Sequence, residues 1–394
     1  LCGDGKLEIG SGVLRLPTSD RAATFDASLV VSKVEAFAAC VPQGPEEWTQ
    51  WVTGTSPEGS LGGALSYARP SETDLGGVDI AFDTVALSLR ADRWSADVTG
   101  AMAVNLTRDR KGTTTRVLTG TGLKIDALTD MSRIRKAEGV LFRAKVIDGP
   151  TGEEYLMELG RSAVAFASSD GSTGTVSYQA RVRIDPALVA VAPQITPLVD
   201  DQNLAGEFTV RGRIDLNTES VVGVFDGDGL TWDHEGTFVK AAQVPLAFRF
   251  ELALTETGRA LAVDSGRLGP LRFASQVAMT DAWEPTNGGV SVSVPDAGGL
   301  GTLWPGVADT MRRGSGEWVM TWALTDTALA IDHDVTLSDW VMRYRDESIE
   351  LSGPARCAMS ISAREPDAAL GLIGAVDWPA RNAVVALREF GTEG

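Results

Sequence analysis

Alternation of apolar and polar residues with a period of two is the feature that most constrains this sequence. Residues 176–184 place Val, Tyr, Ala, Val and Ile at every second position, with Ser, Gln and Arg between them. Residues 246–254, 207–211 and 317–322 repeat this pattern. Because successive side chains of a β-strand point to opposite faces, each run predicts a strand with one apolar and one polar face. Such strands favour an antiparallel sheet of which one face meets water.

Turn-forming segments separate these runs, whereas helical patterns are few. Glycine accounts for 43 of the 394 residues, and this excess favours many turns between strands. The predicted turns lie at 226–229 (DGDG), 287–289 (NGG) and 352–354 (SGP). Short helices are predicted over 30–40, 186–199 and 299–312, and prolines interrupt the last two. We therefore predict a mainly β chain with a few short helices.

Charge and composition exclude several classes of function. The formal net charge is −18, so the chain repels phosphate backbones and we expect no nucleic-acid partner. Only two histidines are present, His234 and His333, which argues against a metal site. Cys2, Cys40 and Cys357 lack CxxC spacing, and we expect free buried thiols, with one disulfide in an oxidising compartment as the alternative. No apolar run approaches the roughly 20 residues of a transmembrane helix.

No catalytic site is predicted. Asp233–His234 and Asp332–His333 are neighbours on predicted strands, so the two side chains of each pair point to opposite faces and cannot form a dyad. We expect both histidines to be exposed polar residues. Residues 226–229 lack the spacing and the final Glu of an EF-hand, which favours a hairpin turn. We therefore expect a protein that is not an enzyme and that holds no cofactor and no metal.

A loose internal repeat runs through the chain. Each copy consists of a strand ending in Asp, a short helical or turn segment, and a Gly that starts a new strand. The clearest copies run from Asp185 to Gly206 and from Asp296 to Gly316. We predict either one continuous elongated body or three segments: 1–160 (N-terminal β), 161–290 (middle β with a repeat unit) and 291–394 (C-terminal β with a repeat unit).

At these repeats the sequence resembles the AsmA-like superfamily, which includes the AsmA, TamB and YhdP groups. The resemblance spreads over most of the chain. It is carried by 195–216 (ITPLVDDQNLAGEFTVRGRIDL), 300–326 (LGTLWPGVADTMRRGSGEWVMTWALTD), 244–254 (VPLAFRFELAL) and 261–279 (LAVDSGRLGPLRFASQVAM). The 10 Trp residues are not something that the superfamily requires.

The resemblance implies a long antiparallel sheet curled into a half-pipe, described as a β-taco, whose concave apolar face carries acyl chains. It implies phospholipid or another acyl lipid as the ligand, and inner- and outer-membrane proteins as partners. It also implies a periplasmic location and a role in outer-membrane lipid transport or homeostasis. The chain starts at Leu1 within a strand-like pattern, so we expect an inner-membrane anchor in a segment that this chain lacks.

The apolar face of such a sheet must be covered. Helices are too few to form a full layer, which leaves a second sheet, giving a sandwich or a closed barrel, or a ligand, giving a lipid groove. The sequence does not separate these two. The residues expected to line the groove are Val176, Tyr178, Val182, Ile184, Phe208, Val210, Leu246, Phe248, Phe250, Leu252, Trp318, Met320 and Trp322.

Two other functions stay open beside lipid binding. A structural or adhesive β-sandwich protein of a cell surface would have closed cores about 100 residues apart and no groove. A carbohydrate-active enzyme on a β scaffold would need two converging carboxylates beside exposed Trp residues. Nothing in the sequence pairs such carboxylates.

Overall fold

A computed structural model shows a chain built mainly of antiparallel β-strands. It describes residues 6–9, 13–15, 23–32, 58–69, 77–91, 94–109, 111–129, 133–150, 152–169, 174–192, 195–255, 258–281, 285–325, 328–344, 347–364 and 384–392. Every pairing between these strands is antiparallel. The prediction of a mainly β fold with a curled antiparallel sheet and a few short helices is confirmed.

Contacts divide the chain into two compact units, Leu1–Val199 and Asp200–Gly394. This boundary falls within the predicted segment 161–290, and the division into three segments stays a prediction. In the first unit β1 and β2 both pair with β3, and each later strand pairs with the next up to β11. Its described strands are β1 (Lys6–Ile9), β2 (Val13–Arg15), β3 (Ala23–Ser32), β4 (Glu58–Arg69), β5 (Gly77–Ala91), β6 (Trp94–Arg108), β7 (Thr114–Thr129), β8 (Arg133–Gly149), β9 (Gly152–Leu159), β10 (Ser162–Ser169) and β11 (Thr175–Ile184).

The second unit repeats this meander with one hairpin inserted. β12 pairs with β13, β13 pairs with β16, and each strand from β16 onward pairs with the next up to β23. β14 and β15 form the inserted hairpin, and β14 also pairs with the start of β12. The described strands are β12 (Ala205–Asp215), β13 (Ser220–Asp226), β14 (Leu230–His234), β15 (Phe238–Lys240), β16 (Leu246–Thr255), β17 (Gly258–Leu268), β18 (Leu271–Met279), β19 (Pro285–Val294), β20 (Met311–Thr325), β21 (Ala328–Tyr344), β22 (Glu347–Arg364) and β23 (Val384–Thr392).

Irregular pairings interrupt the long strands β4–β8 of the first unit at neighbouring positions. The register shifts between Phe82 and Val85 on β5, next to Gly100 on β6, and next to Gly122 on β7. Gly100, Gly122 and Gly139 have φ values of 146°, 61° and 68°, which residues with a Cβ rarely adopt. Because a bulge bends its strand and increases the local twist, these positions favour a curled sheet over a flat one.

Four short helical segments occur in the described residues: α1 (Pro186–Val191), α2 (Thr196–Asp200) and the 3-10 segments Ala297–Thr302 and Pro305–Val307. Asp185 begins α1 by accepting the N–H of Leu188 at 2.9 Å, which satisfies a free donor of the first turn. Asp296 likewise accepts the N–H of Gly298 at 2.9 Å at the first 3-10 segment. Both clear copies of the repeat therefore place an Asp cap between a strand and a short helical segment. None of the described helices is long and apolar enough to cross a membrane.

The predicted helix over 30–40 is wrong at its start, because β3 continues to Ser32. Val30 and Val31 pair with β1 on one side and with β4 on the other. These β-branched residues favour strands, and two ladders of hydrogen bonds outweigh a short helical pattern. The rest of that prediction, residues 33–40, lies outside the described residues, as do Cys2 and Cys40.

Candidate functional site

Five phenylalanines form a continuous cluster on one face of the second unit. The rings of Phe208 and Phe225 stack with centroids 5.2 Å apart, and those of Phe225 and Phe248 with centroids 4.7 Å apart. Phe248 also lies 6.3 Å from Phe250 and 6.1 Å from Phe273. All these distances fall in the favourable range for aromatic pairs. The sequence predicted three members of this phenylalanine cluster and missed Phe225 and Phe273.

An apolar row crosses the same face at right angles to the strands. Its cross-strand partners are, in order, Val221, Leu252, Leu261, Val277, Gly288, Trp322 and Ile331. A Cβ atom at Gly288 would lie 2.4 Å from the indole of Trp322, so the glycine leaves the space that the indole occupies.

The predicted turns at 287–289 and 352–354 are wrong, since these residues lie inside β19 and β22.

His333 lies on this apolar face and is half-buried, so its prediction as an exposed polar residue is wrong. It pairs with Met320 across the β20–β21 ladder. The Nε1–H of Trp318 donates to His333 Nδ1 at 3.2 Å, and the two rings are parallel within 10° with centroids 5.9 Å apart. The sequence does contain a signal for this position, because His333 alternates with the apolar residues Ile331 and Val335 and so shares their face.

The predicted residues of β11 lie on an apolar face of the first unit. Tyr178 pairs with Phe166, and Phe166 pairs with Tyr155. Tyr155, Met157 and Phe166 are 43%, 56% and 37% exposed. Burial raises the pKa of Tyr178. A hydrogen bond from Tyr155 to Glu153, together with partial burial, raises the pKa of Tyr155. We call this part the open face of the first unit, because large apolar side chains meet solvent there.

Helix α1 covers the other end of that face. Ala187 and Ala190 pack in one buried cluster with Leu123 and Ala127 of β7 and with neighbouring residues of β8. Phe142 is partly buried against the same cluster and connects it to the open face. One sheet face thus passes from a helix-covered core to a solvent-exposed surface.

The thirteen predicted lining residues fall into two sets, one on each unit. Val176, Tyr178, Val182 and Ile184 lie on β11, and the other nine lie on β12, β16 and β20. Twelve of the thirteen are half-buried, and only Trp322 is buried. The strand registers place the members of each set on one face of their own unit. Among the described residues, no second layer covers these side chains completely.

A shallow depression of about 920 Å³ lies on the opposite face of the second unit. Its margins are Glu251 and Ala253 of β16 and Val319 and Thr321 of β20, and its floor is formed by β17–β19. The margin residues have the parity opposite to that of Phe250, so they point away from the phenylalanine cluster. This depression is therefore not part of the apolar face.

The buried side chain of Lys240 binds backbone carbonyls in the segment that follows β13. Lys240 is 1% exposed, and its Nζ donates to the carbonyls of Leu230 at 2.6 Å and of Asp228 at 3.3 Å. Burial lowers the pKa of Lys240, and the nearby carboxylates of Asp228 and Asp226 partly oppose this. The carboxylate of Asp226 accepts the N–H of Asp228 at 3.1 Å, so the turn predicted at 226–229 is confirmed.

Ionisable groups do not gather into a reactive centre on the described part of the chain. No three His, Cys, Asp or Glu side chains within it are placed to hold a metal ion. His234 is exposed at the end of β14, as predicted. Its neighbour Asp233 instead accepts the N–H of Gly236 at 2.8 Å, in the turn before β15.

No protein-family model, no curated protein and no solved structure matches the chain. The candidate site is therefore defined by its own geometry. It consists of two apolar sheet faces, one on each unit, with large half-buried side chains and few polar groups.

Proposed function

We propose that this chain is a non-enzymatic protein that binds acyl lipids on its apolar sheet faces. The observation that supports this most is the partial exposure of the predicted lining residues, because an apolar face of this extent would otherwise stay in contact with water. Acyl chains need no specific polar partner, and each buried CH₂ group contributes about 0.8 kcal/mol.

The dimensions of the second unit fit such a ligand. Its face crosses eight paired strands from β12 to β21, with the β14–β15 hairpin set aside. At about 4.8 Å per strand the face extends for about 34 Å. The tails of one lipid occupy about half of a bilayer core that is about 30 Å thick. Acyl chains lying across the strands are therefore accommodated within this face.

The cellular setting belongs to the same proposal. A periplasmic location, inner- and outer-membrane protein partners, and a role in outer-membrane lipid transport or homeostasis rest on the resemblance to the AsmA-like superfamily. The competing proposal is a structural or adhesive β-sandwich protein, in which protein alone would cover the apolar faces.

Native mass spectrometry of the protein purified from a bacterial host tests this proposal. We expect phospholipid to be retained by the wild type and lost from the variant Phe248→Asp/Phe250→Asp, because two charges in the phenylalanine cluster oppose acyl contact. Val224→Asp is the matched control, since Val224 lies on the neighbouring strand β13 and is 38% exposed on the opposite face. A folded, monodisperse wild type free of lipid would favour the sandwich protein instead.

A further inference from the structure

We propose that His333 is the polar anchor of the apolar face of the second unit, and that it binds a carbonyl or carboxylate oxygen at the head of an acyl chain. This inference rests on the proposed function and names the ligand chemistry of the same site. Away from the strand ends, where Arg259 lies opposite Leu254 four strands from His333, this face of β12–β21 carries two polar side chains, Ser275 and His333. His333 is the only ionisable one of the two.

The neighbours of His333 on its own face of the sheet are apolar, and the flanking Asp332 and Asp334 have the opposite parity. Met320 is its register partner on β20. Ile331 and Val335 are its neighbours of the same parity on β21. Because Met320, Ile331 and Val335 are apolar, a hydrogen bond that His333 makes here meets little competition from these side chains.

Trp318 fixes which nitrogen of His333 faces the ligand. An indole N–H is a donor only, so the contact of 3.2 Å requires Nδ1 of His333 to be the acceptor. The proton of the neutral imidazole then lies on Nε2, on the other side of the ring. The parallel stacking of the two rings holds this orientation. Trp318 is therefore a positioning residue, and His333 supplies the donor.

A donor in this place selects among apolar ligands. A fatty acid or a fatty-acyl ester brings an acceptor oxygen next to its first methylene groups, which the side chains around His333 contact. A pure hydrocarbon gains the apolar contacts alone. A neutral hydrogen bond of this kind changes affinity by about threefold to tenfold.

Fluorescence titrations with three probes test the anchor. cis-Parinaric acid carries a carboxylate, its methyl ester carries only an ester carbonyl, and diphenylhexatriene carries no acceptor. We expect His333→Leu to weaken the binding of the ester about threefold to tenfold, to weaken that of the acid about tenfold or more because its carboxylate is charged, and to leave diphenylhexatriene unchanged. A loss for the acid alone assigns the site to free fatty acids, and a loss for both probes assigns it to the carbonyl that esters share.

Two further variants keep the test decisive. His333→Gln retains an N–H donor, and we expect it to recover most of the affinity that His333→Leu loses. Trp318→Phe keeps the ring but removes the donor to Nδ1, and we expect the ¹⁵N signals of His333 to shift toward a mixture of tautomers, which a purely structural role would not produce. Val224→Leu is the apolar control, since Val224 is 38% exposed on the opposite face, and it should leave all three affinities unchanged.

The outcomes separate the two proposals. Equal losses for all three probes in His333→Leu, or no loss for any, would overturn the anchor while acyl binding itself stands. Failure of the folded wild type to bind any of the three probes would overturn both.

Discussion

The two ends of one sheet face in the first unit are covered differently. At the α1 end, Ala127 of β7 and Ala190 of α1 are 0% exposed. At the other end, Tyr155 and Met157 of β9 are 43% and 56% exposed. Both ends follow the same alternation of apolar and polar residues, so the pattern alone does not distinguish a face covered by protein from an open one.

The number of alanines differs between the two ends. The helix-covered end contains alanines on both partners, namely Ala127 and Ala137 on the sheet and Ala187 and Ala190 on the helix. Small side chains let a helix approach a sheet closely, and the resulting core is dense. The open end has Tyr, Met and Phe, whose large surfaces no described helix approaches. Alanines at the contact with α1 thus accompany the protein cover, and Leu123, Ile125 and Val140 complete the same buried cluster.

The strongest test of this difference places one charge at each end. We expect Ala190→Asp to lower the free energy of unfolding by about 3 kcal/mol or more, because a carboxylate without a partner would be buried under α1. We expect Met157→Asp to change it by less than about 0.5 kcal/mol, because that position is largely in water. Urea unfolding followed by circular dichroism measures both. Similar losses at the two positions would show that the open end is also covered.

A second test extends the comparison to the second unit, where the sheet itself buries Trp322. We expect Gly288→Ala to cost about 1–3 kcal/mol, because the new methyl group would lie 2.4 Å from the indole. Gly289→Ala is the matched control on the opposite face, where the nearest atom is 3.4 Å away, and its effect should be within about 0.5 kcal/mol. Differential scanning calorimetry measures both. Equal melting temperatures would mean that Trp322 does not need this space.

The smallest expected effect is the pH dependence of stability that the buried side chain of Lys240 causes. Burial lowers the pKa of Lys240 below its ordinary value of 10.5, so between the folded pKa and 10.5 the unfolded chain binds more protons. The free energy of unfolding therefore rises with pH in that window, by at most about 1.4 kcal/mol per pH unit. Lys240→Met should remove this rise in urea titrations.

The control for the pH test is Lys124→Met, because the Lys124 side chain is 62% exposed. This variant should keep the wild-type slope. Tyr155 and Tyr178 have raised pKa values, so they lower stability above their ordinary value of 10.0. They do so in every variant, and the difference between two proteins cancels their contribution. An unchanged slope in Lys240→Met would contradict the lowered pKa.

The sequence allowed the strands and their faces to be predicted, but not every position along them. Trp318, Met320 and Trp322 share a face as their parity requires. Gly288 was predicted in a turn, because the space that it leaves for Trp322 depends on a partner 34 positions away along the chain. His333 was predicted as exposed because histidine is polar, although its position alternates with Ile331 and Val335 and so indicated the apolar face. Such errors arise where a contact across strands, rather than a local preference, decides the structure.

The meander from β16 to β23 has a consequence for how this chain folds. Each strand from β17 to β23 pairs with the strand before it in the sequence. Five of these seven pairings close loops of two to five residues, so a new hairpin has little entropy to overcome when it adds to the growing edge, whereas 16 residues separate β19 from β20 and 19 separate β22 from β23. The sheet can form in the order in which the ribosome releases it. Adding or removing one hairpin would change its length without rearranging the strands that remain.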